Sequence, residues 1–173
     1  LPCQTVADWK RTLKTAVSLK PEHLSVYNLQ VEEGTPMWNR RYFPETDEKL
    51  DFPGEEEDAR MYRVAVGYLG KNGYNRYEIS NFAVKGRECQ HNLTYWENKD
   101  YLGLGISAHS CIEGSRHANT GVLADYLASP TKSIIERWQA TPLSRRQEKI
   151  FLGLRLSSGV ETEFFSGYEK DVR

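Results

Sequence analysis

Long apolar runs are the first thing the chain lacks. Nowhere in its 173 residues does one approach the roughly 18 residues that a membrane-crossing helix needs. The opening residues also do not read as a charged-then-apolar leader, so a soluble, cytoplasmic protein is the expectation. Cysteine is scarce. Cys3, Cys89 and Cys111 are an odd number, widely separated, with no CxxC or CxxxC spacing. That spacing signals neither a disulfide framework nor a zinc knuckle, and three reduced thiols are the expectation. An excess of one charge is lacking too. Lys and Arg total 23 against 24 Asp and Glu, giving a net charge of -1, which points to no global nucleic-acid or membrane-surface binding. Neither a dinucleotide GxGxxG nor an Asp-x-Asp-x-Asp-Gly calcium loop occurs.

What is present can fold. Hydrophobic residues make up 39% of the chain, with ten Tyr and six Phe, enough for a core and against wholesale disorder. The length suits one domain, or most of one plus the start of another. No initiator Met is seen, and Leu1-Pro2-Cys3-Gln4-Thr5 reads as a loop that follows a strand. The expectation is therefore a portion of something longer.

In chain order, Thr5 and Asp8 have capping-box spacing ahead of an amphipathic helix over 8–19, whose apolar stripe is Trp9, Leu13, Ala16 and Val17. Pro21 stops it. LSVYNLQV, 24–31, reads as a strand, and 32–36 as a turn. The stretch 45–58 carries eight acidic side chains against Lys49. It is read as a solvated loop whose last acids sit at a helix N-terminus, where the macrodipole favours them. That helix covers 55–71, with Met61, Val64, Ala65, Tyr68 and Leu69 on one face, and ends at Asn72-Gly73. A second strand over 74–79 follows.

Helix, strand, helix, strand argues an α/β fold with a parallel sheet, open or barrel-like. Sites in such folds gather at the carboxyl ends of strands. The last of those ends leads into 90–110, QHNLTYWENKDYLGLGISAHS, the segment densest in polar chemistry, aromatics and glycine. His91 and His109 are its chemically able residues, and Tyr95 and Trp96 suit a large flat ligand. Gly103 and Gly105 let another group lie against the backbone. His23 and His117 read as structural.

Residues 107–112 and 116–120 form a hairpin around Glu113-Gly114-Ser115. A short helix over 123–128 comes next, then a short amphipathic element over 132–139. A further helix is announced by a Ser144–Gln147 capping box, with Ile150, Phe151 and Leu154 at helical spacing, and Ser158-Gly159 closes it. The last residues, 161–173, begin another element.

LPxQT at the start, HLSVYNLQVEEGTP, YEISNFA, HNLTYW and LGLGISAHS, in this order, resemble the oxygen-independent coproporphyrinogen III oxidase-like group of radical S-adenosylmethionine (SAM) proteins. The HNxxYW element, from His91 to Trp96, resembles the haem-chaperone (HemW) branch more than the true oxidase. The resemblance covers nearly the whole chain. It implies the C-terminal part of a partial (β/α) barrel over 1–128. The start of a small helical, winged-helix-like region would follow over 129–173.

The family holds a [4Fe–4S] cluster on a CxxxCxxC loop that binds SAM. The three cysteines here have the wrong spacing, so the cluster ligands are expected upstream, and this stretch alone is expected to be inactive. The resemblance places Tyr27 and the main chain of Gln30 on the adenine side of SAM. It makes His91 a haem-iron ligand candidate, with Tyr95 and Trp96 as pocket wall. At position 109 the oxidase has an apolar residue near a second SAM, and His109 there favours haem or another ligand. Cys3 stands where the chaperone branch usually has Gly, and Ile106-Ser107 also departs from its Gly-containing form.

Three readings follow. The first is haem binding and transfer to an acceptor protein. The second is SAM-dependent oxidative decarboxylation of coproporphyrinogen III to protoporphyrinogen IX. The third is a barrel portion with another activity or a structural role.

Overall fold

The structure is a computed structural model that describes residues 1–43 and 50–166. Glu45, Asp47 and Glu48 of the acidic stretch lie outside the described residues. The chain divides into two compact units, Leu1–Glu88 and Cys89–Arg173, each taken by itself below.

The first unit starts with the capping box. The Thr5 hydroxyl accepts from the Asp8 amide at 3.2 Å, and the Asp8 carboxylate accepts from the Thr5 amide at 3.0 Å. The two bonds satisfy donors that a helix start would otherwise leave open. Thr5 is therefore the N-cap, and α1 (Val6–Ser18) begins two residues before the expected Asp8. Hydrogen bonds from Thr5, with Arg11 adding less, hold the Asp8 carboxyl below its ordinary value.

α1 buries Leu13 against α3 (Glu55–Lys71), which buries Met61, Ala65 and Leu69 at i, i+4 and i+8. That spacing puts all three on one helical face. The α3 bounds match the sequence expectation, and four acids fill its first turn. Between them, Thr35 caps a short α2 (Pro36–Tyr42) with Pro at its start, where only a turn was expected.

The sheet departs from expectation. β1 (His23–Ser25), β2 (Tyr74–Arg76) and β3 (Asn81–Val84) are ordered β1-β3-β2, and β3 is antiparallel to both neighbours. β1 and β2 run the same way, as the crossover through α3 predicts. They are not partners, however, because β3 lies between them. The strand expected over 74–79 breaks because Glu78 turns the chain: its carboxylate accepts from the Ser80 amide at 2.6 Å and the Asn81 side-chain amide at 2.7 Å. The strand expected over 24–31 is three residues long for the same reason. Its partner β3 starts at Asn81, opposite Ser25, and one further bond, Val26 amide to Ser80 carbonyl, ends the pairing.

Leu13, Ala65, Leu69, Tyr74 and Phe82 form the core, with Trp9, Val17 and Leu24 packed against it. His23 sits at the edge, its Nε2 2.9 Å from the Tyr77 hydroxyl.

The second unit opens with α4 (Gln90–Trp96). β4 (His109–Ile112) and β5 (Ser115–Asn119) form the expected hairpin. Its turn residues Glu113 and Gly114 both have positive φ, 51° and 77°, as a two-residue turn matched to strand twist requires. The element expected over 132–139 is β6 (Ile134–Gln139), paired antiparallel to β5. Tyr101 adds a bridge to Cys111 on the free edge of β4.

α5 (Leu123–Ala128) has the expected bounds. α6 (Pro142–Gly153) does not use the Ser144–Gln147 box. Thr141 caps it, accepting from the Ser144 amide at 3.1 Å, with Pro142 next. α6 also ends at Gly153, before Ser158-Gly159, where Val160 crowds in so closely that a Cβ would meet it at 2.5 Å. A 3-10 turn (Thr162–Phe165) packs on α6.

Phe82 is 1% exposed, so Phe82→Ala is expected to cost about 3–5 kcal/mol in urea unfolding. Burial lowers the His23 pKa from 6.5, against the opposing pull of Glu78. The unfolded chain then binds a proton at His23 more readily than the folded one. The resulting stability is present above pH 6.5 and is lost as the pH falls below it. The urea midpoint is expected to drop between pH 7.5 and 5.5, and to drop less in His23→Gln.

Candidate functional site

Past Val26 no strand among the described residues pairs with the chain, which lines a cavity of about 420 Å³ at the carboxyl end of β1. Tyr27, Asn28, Leu29 and Gln30 form one side. Trp9 and Thr12 of α1 and Asp58, Met61 and Tyr62 of α3 form the other. Trp9 is fixed by its indole N–H, which donates to the Met61 carbonyl at 2.9 Å, and Tyr62 by its hydroxyl, which donates to the Ile79 carbonyl at 2.7 Å. Tyr27 and Gln30, paired in the sequence reading, thus share one cavity.

Behind Tyr27 lies a polar group to which the sequence reading gave no role, although it quoted YEISNFA. Asn81 is fully buried and Glu78 1% exposed. The Ser25 hydroxyl donates to Asn81 Oδ1 at 2.6 Å, and Asn81 Nδ2 donates to Glu78 at 2.7 Å and to the Tyr27 hydroxyl at 3.3 Å. The missed signal was two polar residues three apart beside the core residue Phe82.

In the second unit, His91 and Tyr95 stand one helical turn apart on α4, rings edge-on at 4.9 Å. Tyr95 meets Tyr101 at 4.6 Å. These three make an aromatic row that starts at an exposed imidazole. Trp96 is not in it. Five residues beyond His91, it lies about 140° round the helix and stacks under the Arg155 guanidinium at 4.3 Å. There it lines a separate cavity of about 280 Å³ with Lys149, Val160 and Phe164. His109 is elsewhere again, exposed on β4 beside a cavity of about 130 Å³ lined by Tyr101, Arg116, Glu136 and Trp138. Tyr101 touches both places: it ends the row and lines the His109 cavity. Burial raises its phenol above the ordinary value, against the pull of Arg116.

The glycines of YLGLG serve the chain itself. A Cβ on Gly103 would lie 2.1 Å from the His109 carbonyl oxygen. Ser110 Oγ accepts from the Gly103 amide at 2.9 Å. The Tyr126 hydroxyl accepts from the Gly105 amide at 2.9 Å, and Asn119 Nδ2 donates to the Gly105 carbonyl at 2.9 Å. The group lying against this backbone is therefore β4. Among the described residues no three His, Cys, Asp or Glu side chains gather to hold a metal, and no helix is long and apolar enough to cross a membrane. The three cysteines are free, and their spacing does not fit a cluster loop. Because backbone blocks the added atom, Gly103→Ala is expected to lower stability by about 1–3 kcal/mol, read as a fall in the urea midpoint.

No family model matches the chain, but curated relatives do. The heme chaperone HemW of Lactococcus lactis is 39% identical over 166 residues, 95% of this chain and 43% of its own length. HemW of Bacillus subtilis is 37% identical over 169 residues, 96% of this chain and 44% of its own. The mitochondrial radical S-adenosyl methionine domain-containing protein 1 of zebrafish (Danio rerio) is 30% identical over 173 residues, 92% of this chain and 38% of its own.

Among solved structures, the radical SAM enzyme coproporphyrinogen III oxidase (HemN) from Escherichia coli superposes with a TM-score of 0.72 at 21% identity, over 97% of this chain and 43% of that one. The chain spans about two fifths of the length of these proteins. Its mixed helix-and-strand fold matches the radical SAM fold of HemN, and its sequence is HemW-like. The chain belongs to the HemW-like radical SAM family.

Proposed function

We propose that the protein binds haem through its second unit and hands it to an acceptor protein, on a radical SAM scaffold whose first-unit cavity takes the adenosine side of SAM. We assign 1–128 to the barrel portion and 129–173 to the start of the C-terminal region, in a cytoplasmic setting. The observation that carries the haem reading is the row His91–Tyr95–Tyr101, which starts at an exposed imidazole. A neutral imidazole offers a nitrogen lone pair to iron. Tyr95, edge-on to His91, limits the ring's rotation, and Tyr101, pinned to Cys111 through both backbone groups, anchors Tyr95. The aromatic faces suit a flat macrocycle. His109, near Tyr101, is a second candidate contact. Trp96, on another face of α4, supports the helix from behind.

Bound haem would supply the iron as cargo, and the chain's own part is to hold it and let it go. An exposed ligand suits release, because no buried wall has to open.

The first-unit cavity fits a nucleoside by size and by chemistry. About 420 Å³ lies within the range of small-molecule sites. Tyr27 offers a ring to a base, and the main chain at Gln30 offers a donor and an acceptor to an adenine edge. SAM there, with a cluster held by another stretch of the protein, would supply the radical chemistry of the family. No residue of this chain is assigned to the cluster.

The fold shared with HemN favours one alternative, SAM-dependent oxidation of coproporphyrinogen III. His109, polar where that enzyme type has an apolar residue, weighs against it.

Haem titration of the protein is expected to give a Soret shift that weakens at least about tenfold, the loss of one iron ligand, in His91→Ala. Tyr95→Ala is expected to weaken it less. Binding by His91→Ala equal to the parent's overturns the ligand assignment. Anaerobic turnover of coproporphyrinogen III with SAM and a reductant would favour the oxidase reading instead.

A further inference from the structure

The first-unit cavity owes one wall to a residue that does not line it. Tyr27 is 65% exposed and lies beyond the last ladder bond of β1, so the sheet does not hold its ring. Its hydroxyl does have a buried neighbour: Asn81, directly opposite Ser25 in the β1–β3 register, reaches it at 3.3 Å. The side chains at 25 and 27 point the same way along an extended chain, and Asn81 holds both. Its oxygen accepts from Ser25, and its nitrogen donates to Glu78 and Tyr27.

We propose that Asn81 is a positioning residue for the nucleoside cavity, fixing the Tyr27 ring as a stacking wall through its buried amide.

The inference rests on the nucleoside reading of that cavity and deepens it. An amide is needed at this position because its two ends face opposite partners, a hydroxyl donor on one side and a carboxylate acceptor on the other. An aspartate of the same shape would face Glu78 with a second carboxylate, and a leucine would leave the buried Glu78 oxygen without the amide donor. Without Asn81, Tyr27 keeps its chemistry but loses its place. Ligand affinity then falls because binding must order the ring.

The test is a double-mutant cycle read by calorimetry, with S-adenosylhomocysteine as the probe and thermal melting alongside. Asn81→Ser is expected to weaken binding about tenfold, the scale of one buried hydrogen bond to a partner. Tyr27→Phe, at an exposed position, cuts the same link from the other end and is expected to weaken it by about the same tenfold. In the Tyr27→Phe background, Asn81→Ser is expected to have little further effect, since coupled residues are non-additive.

Equal effects of Asn81→Ser in both backgrounds overturn the inference, as does a lowered melting temperature with unchanged affinity. Should Asn81→Ser fail to fold, Ser25→Ala tests the same link from the opposite side: it is expected to weaken the probe in the parent and not in Tyr27→Phe. A folded parent that binds no S-adenosylhomocysteine removes the nucleoside reading and this inference together. A parent that binds it, with additive variants, removes the inference alone.

Discussion

The turn at Glu78–Asn81 is the constraint on which the first unit depends. Chain leaving β2 could have continued outward, as its sequence suggests. A carboxylate that accepts from the backbone of Ser80 and the side chain of Asn81 folds it back instead. That reversal sends Phe82 into the core and places β3 between two strands that would otherwise have paired. A buried carboxylate and amide are costly unless bonded, and here Glu78 accepts from Ser80 and Asn81, while Asn81 also bonds Ser25 and Tyr27. The price of burying them is offset by a sheet that could not close without them. The same group ends β1 early, so the backbone that would have been strand lines a cavity. Fold and candidate site follow from one local choice.

The second unit relies on a different device, close backbone approach. Gly103 lies against β4 where no side chain would fit, and Ser110, Asn119 and Tyr126 take up the polar groups of the glycine segment. Ser110 is wholly buried and Asn119 nearly so, and both find partners in that segment. The result is a three-strand sheet with a docked loop on β4. Its backbone polar groups find partners within the unit, as buried backbone requires. Arg116 extends this order to α6 through Glu148 at 2.7 Å, with both side chains about three-quarters buried, and lies over Trp138 on the way.

Much of this was legible before the structure, wherever a local rule had one outcome. The α3 and α5 bounds follow from apolar spacing and flanking breakers, and the β4–β5 hairpin from a polar turn with glycine in second place. The misses share a cause: the deciding partner was distant or ambiguous. Thr35-Pro36 looks equally like a turn and a helix start. α4 has no side-chain cap at Cys89, so nothing local announces it. Thr141 and Ser144 both offer a cap, and Pro142 suits only the earlier choice, where its missing N–H costs nothing. The parallel sheet was the hardest to judge, because strand order is set by Glu78's bonds and leaves no trace in periodicity.

The candidate site shows the same division between what spacing determines and what it leaves open. His91 and Tyr95 are four apart, so any helix through them brings the rings together. Trp96 is one residue further, and one residue is enough to turn it to another face. A motif read as a single pocket wall is therefore split by the helix that carries it. One part is an exposed imidazole backed by two tyrosines. The other is an indole stacked beneath Arg155. The helix thus presents a contact that solvent can reach on one face and a stacked support on another. α4 is only seven residues long, too short to be stable unaided. Its order comes from the rings on either side, Tyr95 edge-on to Tyr101 and Trp96 beneath Arg155.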